Sequence, residues 1–214
     1  MRLGLKALAV LMCMFATAVA AGGNIAELLA PPAGTRVAMV VFEDLEWPDC
    51  ASAYPVLVEA ARTHNVPLVV HDFPLPRHNW SFQAAVNARF FQQRSEQLGR
   101  DFRGYILENQ KQIGDETGLQ RYTEKFASER RIPLPATLDP DGKLAEQVMA
   151  DFRLGQRIGV EHTPTVFVVS LNAPAHPLVE TIDRKELERV IEQAQKKAGA
   201  MAPAGSAPRK KNRS

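Results

Sequence analysis

The 214-residue sequence predicts an α/β protein: a mixed sheet with helices on its faces, interrupted by an all-helical block. Three observations carry this. Apolar runs of strand length occur at residues 36–41, 67–72 and 165–170. A helix-periodic segment joins the first two, so strand, helix and strand fit in roughly 35 residues, a βαβ unit with parallel strands and a right-handed crossover. Only helix-like segments separate the second run from the third, and a short strand and a last helix follow it.

Residues 7–20 are an apolar run behind a short basic start (Arg2, Lys6), and they end in the small-x-small pattern Ala18-Val19-Ala20. These are the three parts of a secretory leader. The run is shorter than the roughly 20 residues that span a bilayer. The expectation is a signal peptide over 1–20, export to a periplasmic or extracellular compartment, and no stable membrane insertion. A lipoprotein reading is weak, because Met12 precedes Cys13 where a small residue belongs. Cys13 falls in the leader, so the mature chain carries one thiol, Cys50, in a compartment where disulfides persist.

The 45% hydrophobic and 23% charged content is that of a globular protein, and two cysteines exclude a disulfide scaffold. After an N-terminal segment (21–34), residues 35–79 hold the βαβ unit. Its helix runs from about Asp49 to His64, with Tyr54, Leu57, Val58 and Ala61 at helical spacing. Residues 80–158 form the helical block and its return helix. Ser81 is expected to cap "FQAAVNARFFQQR"; amphipathic segments follow at 99–109 and 118–130, and Asp139-Pro140 starts a helix over 141–158. Residues 159–197 supply the strand Thr165–Ser170, a hairpin partner at 178–182, and a helix capped by Asp183 that runs to about Lys196.

Residues 198–214 read as a disordered basic tail: a Pro/Gly-rich linker and then Arg209-Lys210-Lys211-Asn212-Arg213. From Lys196 onward there are six bases and no acid, which leaves the body between leader and tail about six charges negative. The tail is a solvated end or a weak contact for anionic surfaces, and no nucleic-acid partner is expected.

The stretch "FEDLEWPDC", Phe42 to Cys50, joins a buried strand to a helix start. A helix N-terminus presents free N–H groups and a partial positive charge, which stabilise a thiolate placed there. A dithiol C-x-x-C motif uses that position: the outer thiolate attacks a disulfide, and the inner one resolves the mixed disulfide.

The element order, with four local sequences, resembles the DsbA-like form of the thioredoxin fold, in which an all-helical domain interrupts the core. "VVFEDLEWPDC" is similar to that family's run from strand into active-site helix. "AYPVL" places Pro55 where the family's helix carries a proline. "HDFPLPRHNWSFQAAVNARF" resembles the passage into the helical domain. "GVEHTPTVFVV" resembles the loop that presents a cis-proline, here Pro164 after Thr163. The resemblance spans roughly residues 35–196 and implies a thiol–disulfide oxidoreductase ancestry. It also implies that Thr163 offers backbone groups to an extended peptide beside Pro164. The alternative for Pro164 is an ordinary trans proline starting a strand.

The same resemblance marks what is missing. Trp47 stands where the attacking cysteine would be, Pro48 and Asp49 fill the motif's middle, and Cys50 keeps the resolving position. Val41 stands where the family often has a buried carboxylate; Glu43 and Asp44 are near, but neither has that spacing. The implied protein has an impaired active site and binds exported polypeptides or thiols with little or no dithiol turnover. Alternatives are a monothiol enzyme using Cys50 with an external thiol, and a non-catalytic scaffold. Cys50 is expected to be a shielded thiol, with a reactive monothiol as the alternative. Trp47 either covers the apolar surround of the site or anchors a partner's side chain. His71, His78 and His162 with one cysteine lack ligand spacing, so no metal or other cofactor is expected.

Overall fold

The computed structural model describes residues 25–170, 177–179 and 182–200; the expected leader, and residues 201–214 of the expected tail, lie outside them. After a single helical turn, α1 (Ile25–Leu28), the chain enters strand β1 (Val37–Glu43), helix α2 (Pro48–His64) and strand β2 (Leu68–Asp72). Helices α3 (Ser81–Gln92), α4 (Glu96–Glu108), a 3-10 turn (Gln110–Gln112), α5 (Glu116–Glu129) and α6 (Lys143–Arg157) follow. The chain returns through β3 (Thr165–Ser170), β4 (Pro177–Val179) and α7 (Arg184–Ala200).

The four strands lie in the order β2-β1-β3-β4. β1 pairs parallel with β2, as the βαβ reading requires, and antiparallel with β3, which pairs antiparallel with β4. Every residue of β1 is buried, which makes it the central strand with both faces covered. Its side chains alternate between two layers. Val37, Met39 and Val41 pack with Leu57 of α2 and Leu187 and Ile191 of α7. Ala38, Val40 and Phe42 pack on the opposite side with Phe73, Phe167 and Phe152 of α6. Helix α6 can lie this close because Gly155 has no side chain: a Cβ there would stand 2.6 Å from the Phe73 ring.

The helical block has its own core, centred on Phe91, Phe102 and Phe126 from α3, α4 and α5. Their ring centroids stand 4.6 to 5.1 Å apart, two of the three pairs edge to face. Such pairs add about 0.5–1.5 kcal/mol each beyond area burial. Ser95 caps α4 by accepting from the Leu98 N–H, and Asp115 caps α5 by accepting from the Gly118 N–H. Leu45, Trp80 and Cys50 belong to this same core, so the thiol lies on the seam between sheet and helical block.

Element boundaries differ from expectation in instructive places. Ser81 is the first residue of α3 and not its side-chain cap; its hydroxyl goes elsewhere, and the α3 N-terminus is capped from a distance by Glu46. β1 continues through Phe42 and Glu43, because an acid at a strand end is tolerable once it finds a partner. The helix expected from 141 starts at Lys143, after Gly142 in a left-handed conformation (φ 70°), with the Asp139 carboxylate accepting from the N–H groups of Leu144 and Ala145. The Asp183 cap is present, accepting from the Glu186 N–H, and α7 runs on to Ala200, three residues into the stretch read as tail. The hairpin partner of β3 begins at Pro177; residues 180–181 of the expected 178–182 lie outside the described residues.

Candidate functional site

The strand-to-helix turn at the C-terminal end of β1 gathers the site. Trp47 is the N-cap residue of α2 in extended conformation, with no side chain capping the helix. Its carbonyl accepts from the Cys50 and Ala51 N–H groups, and Pro48 takes the first helical position, where its missing N–H costs nothing. Pro48 and Asp49 are exposed; Trp47 is half-buried. Gln110, from the helical block, donates its side-chain amide to the carbonyls of Leu45 (2.8 Å) and Trp47 (3.0 Å) and pins the turn from above.

The Trp47 ring does not stand free. It stacks on the His78 imidazole, with centroids 5.4 Å apart at 25°, and the Arg77 guanidinium lies 4.7 Å from its centroid. His78 is held by the Asp44 carboxylate through Nδ1 at 2.6 Å. Asp44 is buried, and three more groups donate to it: the Leu75 N–H (2.7 Å), the Glu46 N–H (2.8 Å) and the Ser81 hydroxyl (2.5 Å). A chain of contacts thus runs from Asp44 through His78 to Trp47, and Asp44 binds the loop after β2 and the start of α3 to the turn.

Cys50 is 2% exposed. Its sulfur accepts a 3.4 Å hydrogen bond from the Asp44 N–H. Burial pushes the thiol far above its ordinary range; the Asp44 N–H and the Thr163 hydroxyl favour the thiolate too little to reverse this, and the nearby Glu43 charge opposes it further. The Thr163 Oγ1 is buried with no regular hydrogen-bond partner of its own, and Thr163–Pro164 is a cis peptide. Thr163 and Pro164 are both buried, while Glu161 and His162 before them are exposed. The structure therefore brings Trp47, Cys50 and Asp44 into one turn, with Thr163 facing the sulfur.

Val41 lies in the apolar layer under α2, paired with Val70 and Val166, so no carboxylate occupies that position. Two residues on, and on the same side of the strand, Glu43 is fully enclosed. It accepts from Arg103 Nη1 of α4 at 2.9 Å, and the same nitrogen donates to Asp72 of β2 at 2.7 Å. Asp72 also accepts from Arg89 of α3 (2.6 Å), which continues to Asp151 of α6, where His71 binds at 2.7 Å. Burial raises the Glu43 carboxyl above the usual glutamate range, against the pull of Arg103. Burial would raise Asp72 as well, but two guanidiniums outweigh it and hold Asp72 low.

Sequence reasoning missed this network. Its local signal was present: acids at the ends of two apolar strands ("FED", "HD"), and arginines on otherwise apolar helix faces, Arg89 in "AAVNARFF" and Arg103 in "DFRGYIL". Of the histidines considered for metal, His71 and His78 each bind a carboxylate in separate clusters, and His162 is exposed just before the buried Thr163–Pro164 pair.

Three comparisons bear on this geometry. A family model described as Thioredoxin matches residues 33–201. Among curated proteins, none matches by sequence. Solved structures share the fold. Wolbachia pipientis alpha-DsbA1 has a TM-score of 0.68 at 17% identity, covering 82% of this chain and 98% of its own. The thiol-disulfide exchange protein alpha-DsbA2 of the same organism has a TM-score of 0.63 at 17% identity, over 76% of this chain and 84% of its own. A periplasmic thioredoxin-like protein from Salmonella enterica serovar Typhimurium has a TM-score of 0.61 at 18% identity, over 80% of this chain and 97% of its own.

Proposed function

The chain belongs to the thioredoxin family, in its DsbA-like form with an inserted helical domain, and from that we propose that it is an exported relative of the thiol–disulfide oxidoreductases that binds polypeptides with little or no dithiol turnover. The observation that carries the reading is the pair at the start of α2: an indole at the outer position and a buried, high-pKa thiol at the inner one. Disulfide exchange needs a thiolate that can reach a substrate disulfide. Cys50 meets neither requirement, and the mature chain has no second thiol to complete a cycle. The binding parts remain. The Thr163–Pro164 loop lies beside the sulfur, and the half-buried Trp47 indole and the exposed Pro48 offer apolar surface in the same turn. Export follows from the leader at 1–20 and accords with the periplasmic origin of one structural neighbour.

Insulin reduction by dithiothreitol tests the reading. The wild-type protein should not accelerate it, and Trp47→Cys, which restores C-P-D-C, should. No gain from that variant would mean position 47 is not the vacated nucleophile position. Binding is read separately: suppression of aggregation of an unfolded client should weaken in Trp47→Ala. A working monothiol enzyme would require Cys50 to label with a maleimide in the native state; labelling is expected only after denaturation.

A further inference from the structure

We propose that the surface around Trp47 selects polypeptide segments that place a carboxylate next to an apolar side chain, with Arg77 as the residue that recognises the acid; this rests on the polypeptide-binding reading above and specifies its ligand. The argument is one of charge accounting at the site. Asp44 is saturated by Leu75, Glu46, His78 and Ser81. The Glu46 carboxylate accepts from the N–H groups of Trp80 and Ser81 at 2.7 and 3.0 Å. His78 is paired with Asp44. Arg77, by contrast, is exposed, and among the described residues it has no carboxylate partner; its guanidinium rests on the Trp47 face.

A guanidinium laid over an aromatic ring keeps its in-plane N–H groups free, and those form the fork that matches a carboxylate. The stack also fixes its position, because Trp47 is held by His78 and His78 by the buried Asp44, so little side-chain freedom is lost on binding. Apolar surface lies alongside: Pro48, the residue after Trp47, is exposed at the start of α2. The one exposed acid in the turn, Asp49, is the only acidic residue in the first turn of α2, where the helix dipole favours it. A ligand with a lysine at the same place would face Arg77 with like charge.

The test uses two fluorescein-labelled peptides of identical apolar sequence, one with a central Asp-Glu pair and one with a central Lys-Lys pair, titrated by polarisation against the mature protein. The acidic peptide should bind about fivefold tighter or better, with the difference shrinking at high salt. Arg77→Glu should abolish or reverse the preference, and Arg77→Lys, which keeps the charge but loses the fork and the stack, should retain only a minor part of it. Equal binding of both peptides to wild type, or an acidic preference that survives Arg77→Glu, would overturn the proposal. Trp47→Ala separates the two levels. If it leaves both peptides bound at full affinity, the binding reading itself fails. If it weakens both while Arg77→Glu changes nothing, only the assignment of Arg77 fails.

Discussion

Glu43 and Asp44 are neighbours at the end of β1, both buried, and they bury a carboxylate in two different ways. Glu43 faces the seam with the helical block and meets a guanidinium that it must share with Asp72. Asp44 faces the site turn and meets four donors, none of them a permanent charge. Three carboxylates of the seam, Glu43, Asp72 and Asp151, share two arginines; burial raises the pKa of Glu43, which has only Arg103, whereas two guanidiniums hold Asp72 low. The seam is therefore an ionic joint under charge tension, whereas the Asp44 cluster is a positioning device. Buried ion pairs add little net stability but cost much when one partner goes; a saturated hydrogen-bonded carboxylate fixes geometry.

The contrast is most severely tested at Arg103. Arg103→Met leaves Glu43 without a cation and Asp72 with one, and should cost about 3–5 kcal/mol in urea unfolding. A loss below about 1 kcal/mol would mean that the joint relaxes and contributes little. Asp44→Asn comes next, at about 2–3 kcal/mol, because an amide turns one accepting atom into a donor facing donors. It should also free His78, so the Trp47 emission should shift and Cys50 should label with maleimide in the native state. A variant that is destabilised with Cys50 still silent would deny that Asp44 positions the cover over the thiol. Removing Gln110 by Gln110→Ala should cost about 1 kcal/mol, since the carbonyls of Leu45 and Trp47 lose a shared donor.

The smallest expected effect is Glu43→Gln, within about 1 kcal/mol near neutral pH, and its value lies in the pH profile. A carboxyl whose folded pKa is raised stabilises the fold below its unfolded pKa, and that contribution is lost as pH rises through the raised folded value. Asp72 has the opposite sign: its contribution is present above the unfolded aspartate pKa and is lost as pH falls through the lowered folded value. Glu43→Gln should therefore remove a decline in stability on the neutral side while leaving the acid-side decline in place. An unchanged profile would place the proton elsewhere in the network.

Much of the fold was legible because it is written locally. The strand β3 and the βαβ crossover follow from runs of Val, Leu and Phe, from spacing, and from residues such as Pro48 at a helix start and Asp183 at a cap. The turn at 47–50 was legible as a helix start for a related reason: Trp47-Pro48-Asp49-Cys50 is contiguous, and Pro48 takes the first helical position. Ser81 marks where that approach ended. A serine before an apolar helix reads as a cap, yet its hydroxyl binds Asp44, 37 residues upstream in the chain, and the cap comes from Glu46. Local propensity cannot see a partner that arrives through folding.

The sequence by itself determined the element order, the parallel crossover and the strand-to-helix turn that runs from Trp47 to Cys50. Each of these is a property of near neighbours along the chain. Only the tertiary structure decided that Cys50 is sealed in the core of the helical block, that Trp47 is clasped by His78 and Arg77, and that Glu43 shares one arginine, 60 residues away, with Asp72. The reason is physical. The cost of a buried charge or thiol is set by which groups share its low-dielectric surroundings, and those groups come from β1, β2, α3, α4 and the proline loop at once.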